Sequence, residues 1–398
     1  MALSKIDVAN MLTGVTPVAN GGTAATTFAG AGLSKRPNAK PLWYNGNMQV
    51  SQRGDSTGVT NGNSDYYACD RYKFNEDGTM SAVLTITQET LTSGSAFTTD
   101  GHTRALKYDV TTADTSVASD IYARIEQRFE KQDLQVLKKG TSNAEKVTLA
   151  FWVKATVTGT NVVEFQDQAN TRHCCATYTI SSSDTWEHKV ITFAADTSTG
   201  DPFGTGNGLA ANINFVLQAG SNYTSGTLAT AWADSVNANR AAGHNSNHFS
   251  STSNNFHLTG VQLEVGEFTS STLPPFQHES FEQNLARCQR YYYSLDIGGS
   301  NTASMGIGAM YTSNNIYCGI DFPVTMRATP TADFSTGTDY FAFNRNSGTD
   351  TFDTLALSES STTSAMLYGS GNISGTAGHG GRVRFNNSSA GIAFTSEL

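Results

Sequence analysis

The sequence predicts an all-β protein: a jelly-roll β-sandwich with a closing helix, followed by a second, smaller all-β domain, with an extended strip at the N-terminus. Three observations predict it. Short runs from about residue 41 onward alternate apolar and polar side chains with the period of two that a half-buried strand requires. Clusters of Gly, Asn, Ser and Thr separate these runs as turns. One segment, residues 279–293, has clear helical spacing, and it divides the chain into a strip over 1–40, a sandwich over 41–293 and a C-terminal domain over 294–398.

The strip comes first. Residues 12–35, LTGVTPVANGGTAATTFAGAGLSK, have almost no charge, few large side chains and no apolar face. Such a composition buries too little apolar area to offset the roughly 1–2 kcal/mol per residue that ordering a backbone costs. It is either a disordered leader or a segment that gains order only against another chain, where small side chains let backbones approach closely.

In the sandwich, AVLTIT alternates from Ala82 to Thr87, and in VTLAFWVKATV the residues Val147, Leu149, Phe151, Val153 and Ala155 share one face. WEHKVITF and NINFVLQ repeat the period. In FHLTGVQLEV the apolar positions are even-numbered at Phe256 and Leu258 but odd-numbered at Val261, Leu263 and Val265. A phase slip at Gly260 marks a β-bulge, which lets one strand feed the core on both sides of a bend. EKQDLQVLKKG, ending in Lys138, Lys139 and Gly140, carries a weaker helix signal.

The closing helix, ESFEQNLARCQRYYY, spaces Phe281, Leu285, Cys288 and Tyr292 at i, i+4, i+7 and i+11. Ser280 with Gln283 forms a capping-box candidate, and acidic and basic residues sit at the ends that the helix dipole favours. LPPF, residues 273–276, stops any preceding strand. Beyond residue 293 come short β-like runs, MGIGAMY, NIYCGIDFPVTM, YFAF, GRVRF and GIAFT, and Ser/Thr/Gly stretches such as residues 358–381 are expected to be loops or hairpin tips. No fixed-period repeat of the β-helix kind is present.

Composition narrows the function. Charged residues make up 15% of the 398 residues and the net charge is −9, with no local Lys/Arg cluster, so neither nucleic acid nor an anionic membrane surface is an expected partner. There is no run of eighteen apolar residues and no apolar run following a basic start, so neither a membrane span nor a signal peptide is expected. The five cysteines, Cys69, Cys174, Cys175, Cys288 and Cys318, form no C-x-x-C spacing and fit reduced thiols of a protein folded in a cytoplasm. RHCC, residues 172–175, fits small buried side chains in a strand better than a four-ligand metal site.

TLAFWVKA (148–155), WEHKVITF (186–193) and LTGVQLEVG (258–266) together resemble the jelly-roll carbohydrate-binding modules appended to glycoside hydrolases. NGNMQVSQRG (45–54), ACDRYKF (68–74), RIEQRFE (124–130) and LARCQRYYY (285–293) resemble virion structural proteins, the tail fibres of marine tailed phages that infect cyanobacteria and other ocean bacteria. FPVTMRATPT (322–331) and the final SEL match the same group. GVTPVANGGTAATTF is similar to the TPVANGGTG phrase of phage fibre shafts, with Ala24 where that phrase has Gly. The resemblance implies a virion-located homotrimer, made in the host cytoplasm, whose N-terminal strip is held by the other two chains or by tail proteins. It also implies a sugar-binding type of sandwich, with host surface polysaccharide as the partner. A head fibre or other virion decoration without a receptor is the alternative.

Catalysis is not expected. No carboxylate pair sits in a phrase assignable to a glycosidase strand end, no G-x-S-x-G opens a helix, and GGTAATT lacks the Gly-Lys-Ser/Thr ending of a phosphate loop. A polysaccharide depolymerase is therefore the third reading. For sugar binding, the loop from Gly220 to Asn255 offers Tyr223, Trp232, His244 and His248 among Asn and Ser side chains. Trp232 would either carry a sugar or plug an open end of the sandwich, and the histidines would either bind or belong to a solvated loop. Trp152 and Trp186 are expected in the packed interior. No cofactor is expected apart from a structural calcium, for which Asp196, Asp201 and Asn207 cluster oxygens on one loop without EF-hand spacing.

Overall fold

The computed structural model describes residues 41–198, 200, 202–295, 303–346 and 348–398, so the N-terminal strip and Asp201 lie outside the described residues. The strands of the first half are β1 (Ser56–Val59), β2 (Asp65–Tyr66), β3 (Lys73–Asp77), β4 (Val83–Thr90), β5 (Arg104–Thr112), β6 (Tyr122–Glu130) and β7 (Val147–Ala155). They continue with β8 (Gly159–Asp167), β9 (Arg172–Ile180), β10 (Glu187–Phe193), β11 (Leu209–Ala219), β12 (Ala233–Asp234) and β13 (Asn255–Val265). Two antiparallel sheets result, a six-stranded one in the order β1-β4-β5-β13-β7-β10 and a seven-stranded one in the order β12-β9-β8-β11-β6-β3-β2. Consecutive strands alternate between the sheets often enough that this is a jelly-roll sandwich, not a meander.

The period-two residues meet in one core. Leu84, Ile86, Leu149, Phe151 and Val153 of the first sheet pack against Phe74, Ile125, Phe129, Phe165, Ile213 and Phe215 of the second. Trp43 lies at the centre, edge-on to Phe129 at 5.6 Å and Phe215 at 6.1 Å, with its indole N–H donated to the Tyr72 hydroxyl at 2.7 Å. The bulge is where the phase slip puts it: the β13–β7 register shifts between Thr259 and Gln262, and Gly260 has φ 59°. Phe256, Leu258, Val261, Leu263 and Val265 all reach the core as a result.

Trp152 and Trp186 do not join that core. They bury on the opposite face of the six-stranded sheet, in a small cluster with Leu91, Ala96 and Ala105 beneath the short helix α1 (Ser95–Asp100), and the Trp152 indole donates to Asp100 at 2.7 Å. Residues 221–224 form a single turn, α2 (Ser221–Thr224). The helix α3 spans Phe281–Gln289 with Ser280 as its cap, the Ser280 hydroxyl accepting from the Gln283 amide. Its buried face differs from the expected one. Phe281 is 52% exposed, and Asn284 and the following Tyr291 turn inward beside Cys288, which is buried as its spacing predicts. Asn284 donates to the side-chain oxygen of Asn45 at 3.0 Å, and Arg287 donates to the carbonyls of Pro41 and Trp43, so polar contacts with residues 41–47 set the rotation of the helix.

Two further expectations are corrected. Residues 130–140 are not a helix but two 3-10 turns, Lys131–Asp133 and Gln135–Leu137, because Leu134 and Leu137 both insert into the core and Lys138 takes a left-handed φ of 51°. Residues 358–381 are not all loop, since two strands run through the first half of the stretch.

The second half contributes β14 (Tyr292–Ser294), β15 (Ser304–Thr312), β16 (Asn315–Asp321), β17 (Thr331–Ser335), β18 (Phe341–Arg345) and β19 (Gly348–Phe352). It ends with β20 (Thr354–Ser360), β21 (Ser364–Ser370), β22 (Gly380–Phe385) and β23 (Gly391–Thr395). A small sheet, β14-β23-β17, faces a seven-stranded one, β19-β18-β22-β15-β16-β21-β20, over a core that includes Ile316, Leu367, Val383, Phe341, Phe385 and Phe394. The strand that follows α3 directly is therefore a member of the C-terminal unit. Among the described residues no helix is long and apolar enough to cross a membrane.

Candidate functional site

The face of the sandwich's seven-stranded sheet that points away from the core is polar. Strand alternation dictates this: along β6 the residues Ala123, Ile125 and Phe129 face inward, so Tyr122, Arg124, Glu126 and Arg128 must face out. Along β11 the same rule turns Asn212 and Asn214 outward. Strand register then assembles two lateral rows, Lys73–Glu126–Asn214–Glu164–Cys175 and Arg128–Asn212–Gln166–His173.

At the β8–β9 end these rows form a closed network around Glu164. Its carboxylate accepts from Arg240 at 2.8 and 2.9 Å, from the Tyr122 hydroxyl at 2.9 Å and from Asn214 at 2.8 Å, with His173 Nδ1 at 3.1 Å. Burial pushes the Glu164 pKa up, but the Arg240 guanidinium and the hydrogen bonds from His173, Arg240 and Asn214 more than reverse this, holding it below the usual carboxylate range. Arg240 in turn lies over the Tyr122 ring, which stacks on Tyr223 at 4.7 Å.

The other end of the face is less enclosed. Lys73, Asn75, Arg128 and Gln166 are half-buried and Gln168 is exposed, around a floor of buried Asn212 and Glu126. Asn75 and Arg128 donate to Glu126 at 3.1 and 2.6 Å, and Gln168 donates to the Asn212 oxygen at 2.8 Å. Burial raises the Glu126 pKa and Arg124 and Arg128 lower it further, so the group stays ionised. The result is a rigid panel of amides, a carboxylate, an ammonium and a guanidinium, the donor and acceptor types that pair with sugar hydroxyls.

The loop candidates named from sequence are placed differently. Tyr223 and His244 are each 9% exposed and His248 is 1% exposed. His248 Nε2 bonds the Asn161 side chain at 2.7 Å. Trp232 donates its indole N–H to the Ala194 carbonyl at 2.8 Å and packs edge-on against Phe165 at 5.1 Å, so it seals one end of the sandwich. The loop thus folds inward over β8 and β9 and does not gather these four rings on one open surface. The buried Glu164 carboxylate holds Arg240 of this loop down on the sheet, while Trp232 and His248 are held by Ala194 and Asn161.

Two of the three calcium candidates have other partners, and the third, Asp201, lies outside the described residues. The Asp196 carboxylate meets Lys139 at 3.0 Å and Arg172 at 3.1 Å, two cations that supply the positive charge a divalent ion would bring. Asn207 instead exchanges hydrogen bonds with the Arg327 backbone and guanidinium, at 2.6 and 3.1 Å. A different set, Glu164, His173 and Cys175, has ligand atoms within 4.8 Å of one another, but Glu164 is already engaged by Arg240. All five cysteines are free and buried.

The panel residues, on strands except for Gln168, carry no aromatic ring, so aromatic side chains in loops do not mark them. A signal was present: in RIEQRFE and NINFVLQ the residues between the apolar positions are Arg, Glu and Asn rather than the Ser and Thr common elsewhere in this chain.

A second concavity, of about 900 Å³, lies between α3, residues 41–44 and the loop at Val324 and Thr325. Its charged groups are committed structurally: Arg287 pairs with Glu279 at 2.5 Å, Arg290 pairs with Glu130 at 2.8 Å, and Tyr44 donates to Asp133 at 2.8 Å.

No protein-family model matches the chain, and no curated protein matches it in sequence. Among solved structures it is similar to a putative sugar binding protein from Bacteroides thetaiotaomicron, at 13% identity and TM-score 0.31 over 57% of this chain and 100% of that one. It is also similar to the family 11 carbohydrate-binding module of a cellulosomal cellulase from Clostridium thermocellum, at 9% identity and TM-score 0.25 over 54% and 96%. A third likeness is to the enzymatically active domain of tailspike protein 4 of bacteriophage CBA120, at 12% identity and TM-score 0.27. That match covers 52% of this chain and 21% of the tailspike chain. The fold assignment stands on the sheet topology itself.

Proposed function

We propose that the chain is a virion fibre protein of a tailed phage of marine bacteria, a tail fibre that adsorbs the particle to its host by binding surface polysaccharide. The observation that supports this reading best is the half-open polar panel of Lys73, Asn75, Arg128, Gln166 and Gln168 on a rigid sheet, in a chain with only 15% charged residues. In this proposal the amides and charged groups pair with sugar hydroxyls, the N-terminal strip attaches to tail proteins, and three copies assemble. Trimers in several copies per particle would raise avidity about 10²- to 10⁴-fold without any new contact, so a weak panel suffices.

The test uses the full chain in native affinity gels containing envelope polysaccharide purified from cyanobacteria, with sedimentation of the same sample. Retardation of a trimer is expected, and Lys73→Ala with Gln168→Ala should weaken it about tenfold, the loss of a few modest hydrogen bonds. A monomer at micromolar concentration contradicts the assembly. Free migration of the unmodified chain favours a head fibre or decoration protein, and release of reducing ends from the polysaccharide favours a depolymerase.

A further inference from the structure

We infer that the sandwich panel selects an anionic sugar, one that carries a carboxylate or a sulfate ester, and that the Lys73 ammonium is the group that reads its charge. This deepens the proposed sugar-binding reading and rests on it. The other cations of this face each have a carboxylate in contact. Arg240 meets Glu164 at 2.8 Å, Arg124 meets Asp77 at 2.9 Å, and Arg128 meets Glu126 at 2.6 Å. Lys73 lies directly opposite Glu126 in the β3–β6 register, the position from which a lysine ordinarily pairs with a glutamate. That carboxylate is already taken: Arg128 and Asn75 donate to it, and Arg124 Nε lies 3.4 Å away. Among the described residues Lys73 makes neither an ion pair nor a side-chain hydrogen bond, and its ammonium lies 5.9 Å from the centre of the Tyr66 ring.

The arrangement leaves that ammonium unsatisfied. Burial pushes the Lys73 pKa down and Arg128 adds to the shift, and the pull of Glu126 and Asp65 does not restore it. A half-buried cation in the field of two guanidiniums is stabilised when an anion arrives beside it. The guanidiniums cannot serve in its place, because Arg128 also donates to the Leu398 backbone oxygen and Arg124 is held between Glu126 and Asp77. An ammonium is a compact point charge on a flexible stem, so it takes a carboxylate or a sulfate oxygen alike. The amides around the same floor single out a sugar from other anions. Asn75 and Gln168 use their nitrogens on Glu126 and Asn212, and Gln166 uses its oxygen on Arg240. Their opposite ends are left for hydroxyls, which both donate and accept. The net charge of −9 does not oppose this contact, since charges farther off than about 8 Å are largely screened at physiological ionic strength.

The experiment measures retardation of the full chain in native gels containing matched polymers, alginate against its carboxyl-reduced form and a sulfated galactan against its desulfated form. The variants are Lys73→Gln, which keeps a polar side chain and loses the charge, and Gln168→Ala, which loses only a hydroxyl contact from an exposed position. The unmodified chain should bind at least one charged polymer about tenfold more tightly than its neutral counterpart, and the pair that shows the difference tells carboxylate from sulfate. Lys73→Gln should abolish that difference while binding the neutral counterpart as before, and Gln168→Ala should weaken both members of the pair alike. Equal retention of charged and neutral polymers by the unmodified chain overturns the inference and leaves sugar binding by the panel intact. So does a preference that survives Lys73→Gln. A chain that none of the four polymers retards overturns this inference and the panel reading together.

Discussion

At the scale of single residues, burial decides which polar groups hold this protein together. Glu164 is tolerable inside only because Arg240, Tyr122, Asn214 and His173 surround it, and removing one partner of such a buried pair costs about 3–5 kcal/mol. The histidines show the opposite effect. Burial pushes His248 down to about 3, with His244 nearby adding to the shift, and burial pushes His244 and His102 down to about 4. The folded state therefore keeps them neutral while the unfolded chain takes up protons below about pH 6.5. Their contribution to stability is complete above that pH and is lost as pH falls toward 4, on the order of 1 kcal/mol per pH unit per histidine. Denaturant midpoints should fall between pH 6.5 and 4.5, above the range in which Glu164 titrates. His248→Gln, which keeps a donor for Asn161, should flatten that slope. A slope left unchanged by His248→Gln would contradict the assignment.

At the scale of elements, the bulge in β13 carries the most information. Gly260 lies at φ 59°, and a Cβ there would come within 2.4 Å of His102 Nε2 and 2.9 Å of the Trp152 ring. Gly101 is also left-handed, at φ 74°, but has open space around its Cβ position. Gly101→Ala should therefore lose only the backbone preference, roughly 1–2 kcal/mol, while Gly260→Ala loses that and displaces two packed rings as well. Thermal unfolding of the two variants measures the difference, and equal losses would mean that the close approach is unimportant. The bulge could be read from residue phase alone because the side-chain period of a strand is two and one extra residue reverses it. The rotation of α3 could not be read that way. Phe281 and Leu285 fit an apolar face by spacing, yet Asn284 faces inward because Asn45, far away in sequence, supplies its partner.

At the scale of the whole molecule, the C-terminus clasps the two halves. After β23 the chain returns to the sandwich, where the Glu397 carboxylate pairs with fully buried Arg71 and with Arg53 at 3.0 Å. Arg327 of the second half donates to the Ser396 and Glu397 carbonyls at 2.6 and 2.9 Å, and Arg71 lies 3.5 Å over the Tyr291 ring at the end of α3. Glu397→Ala would strand the Arg71 guanidinium without its carboxylate, so a loss of about 3–5 kcal/mol is expected, with the sandwich and the C-terminal unit unfolding at separate temperatures in calorimetry. An unchanged single transition would show that the clasp does not couple them.

The all-β sandwich class, the inward residues of β4, β7, β11 and β13, the helix cap and the bulge were determined by the sequence alone, because each depends on a local period or a local cap. The polar panel was half visible there, as charged and amide residues at the outward positions of β6 and β11. What only the tertiary structure decided is which outward residues stay open and which are covered. Glu164 holds Arg240 down on one half of the sheet, and Trp232 turns inward to close an end. Such placements depend on charge partners and packing between residues tens of positions apart, and no local pattern encodes them.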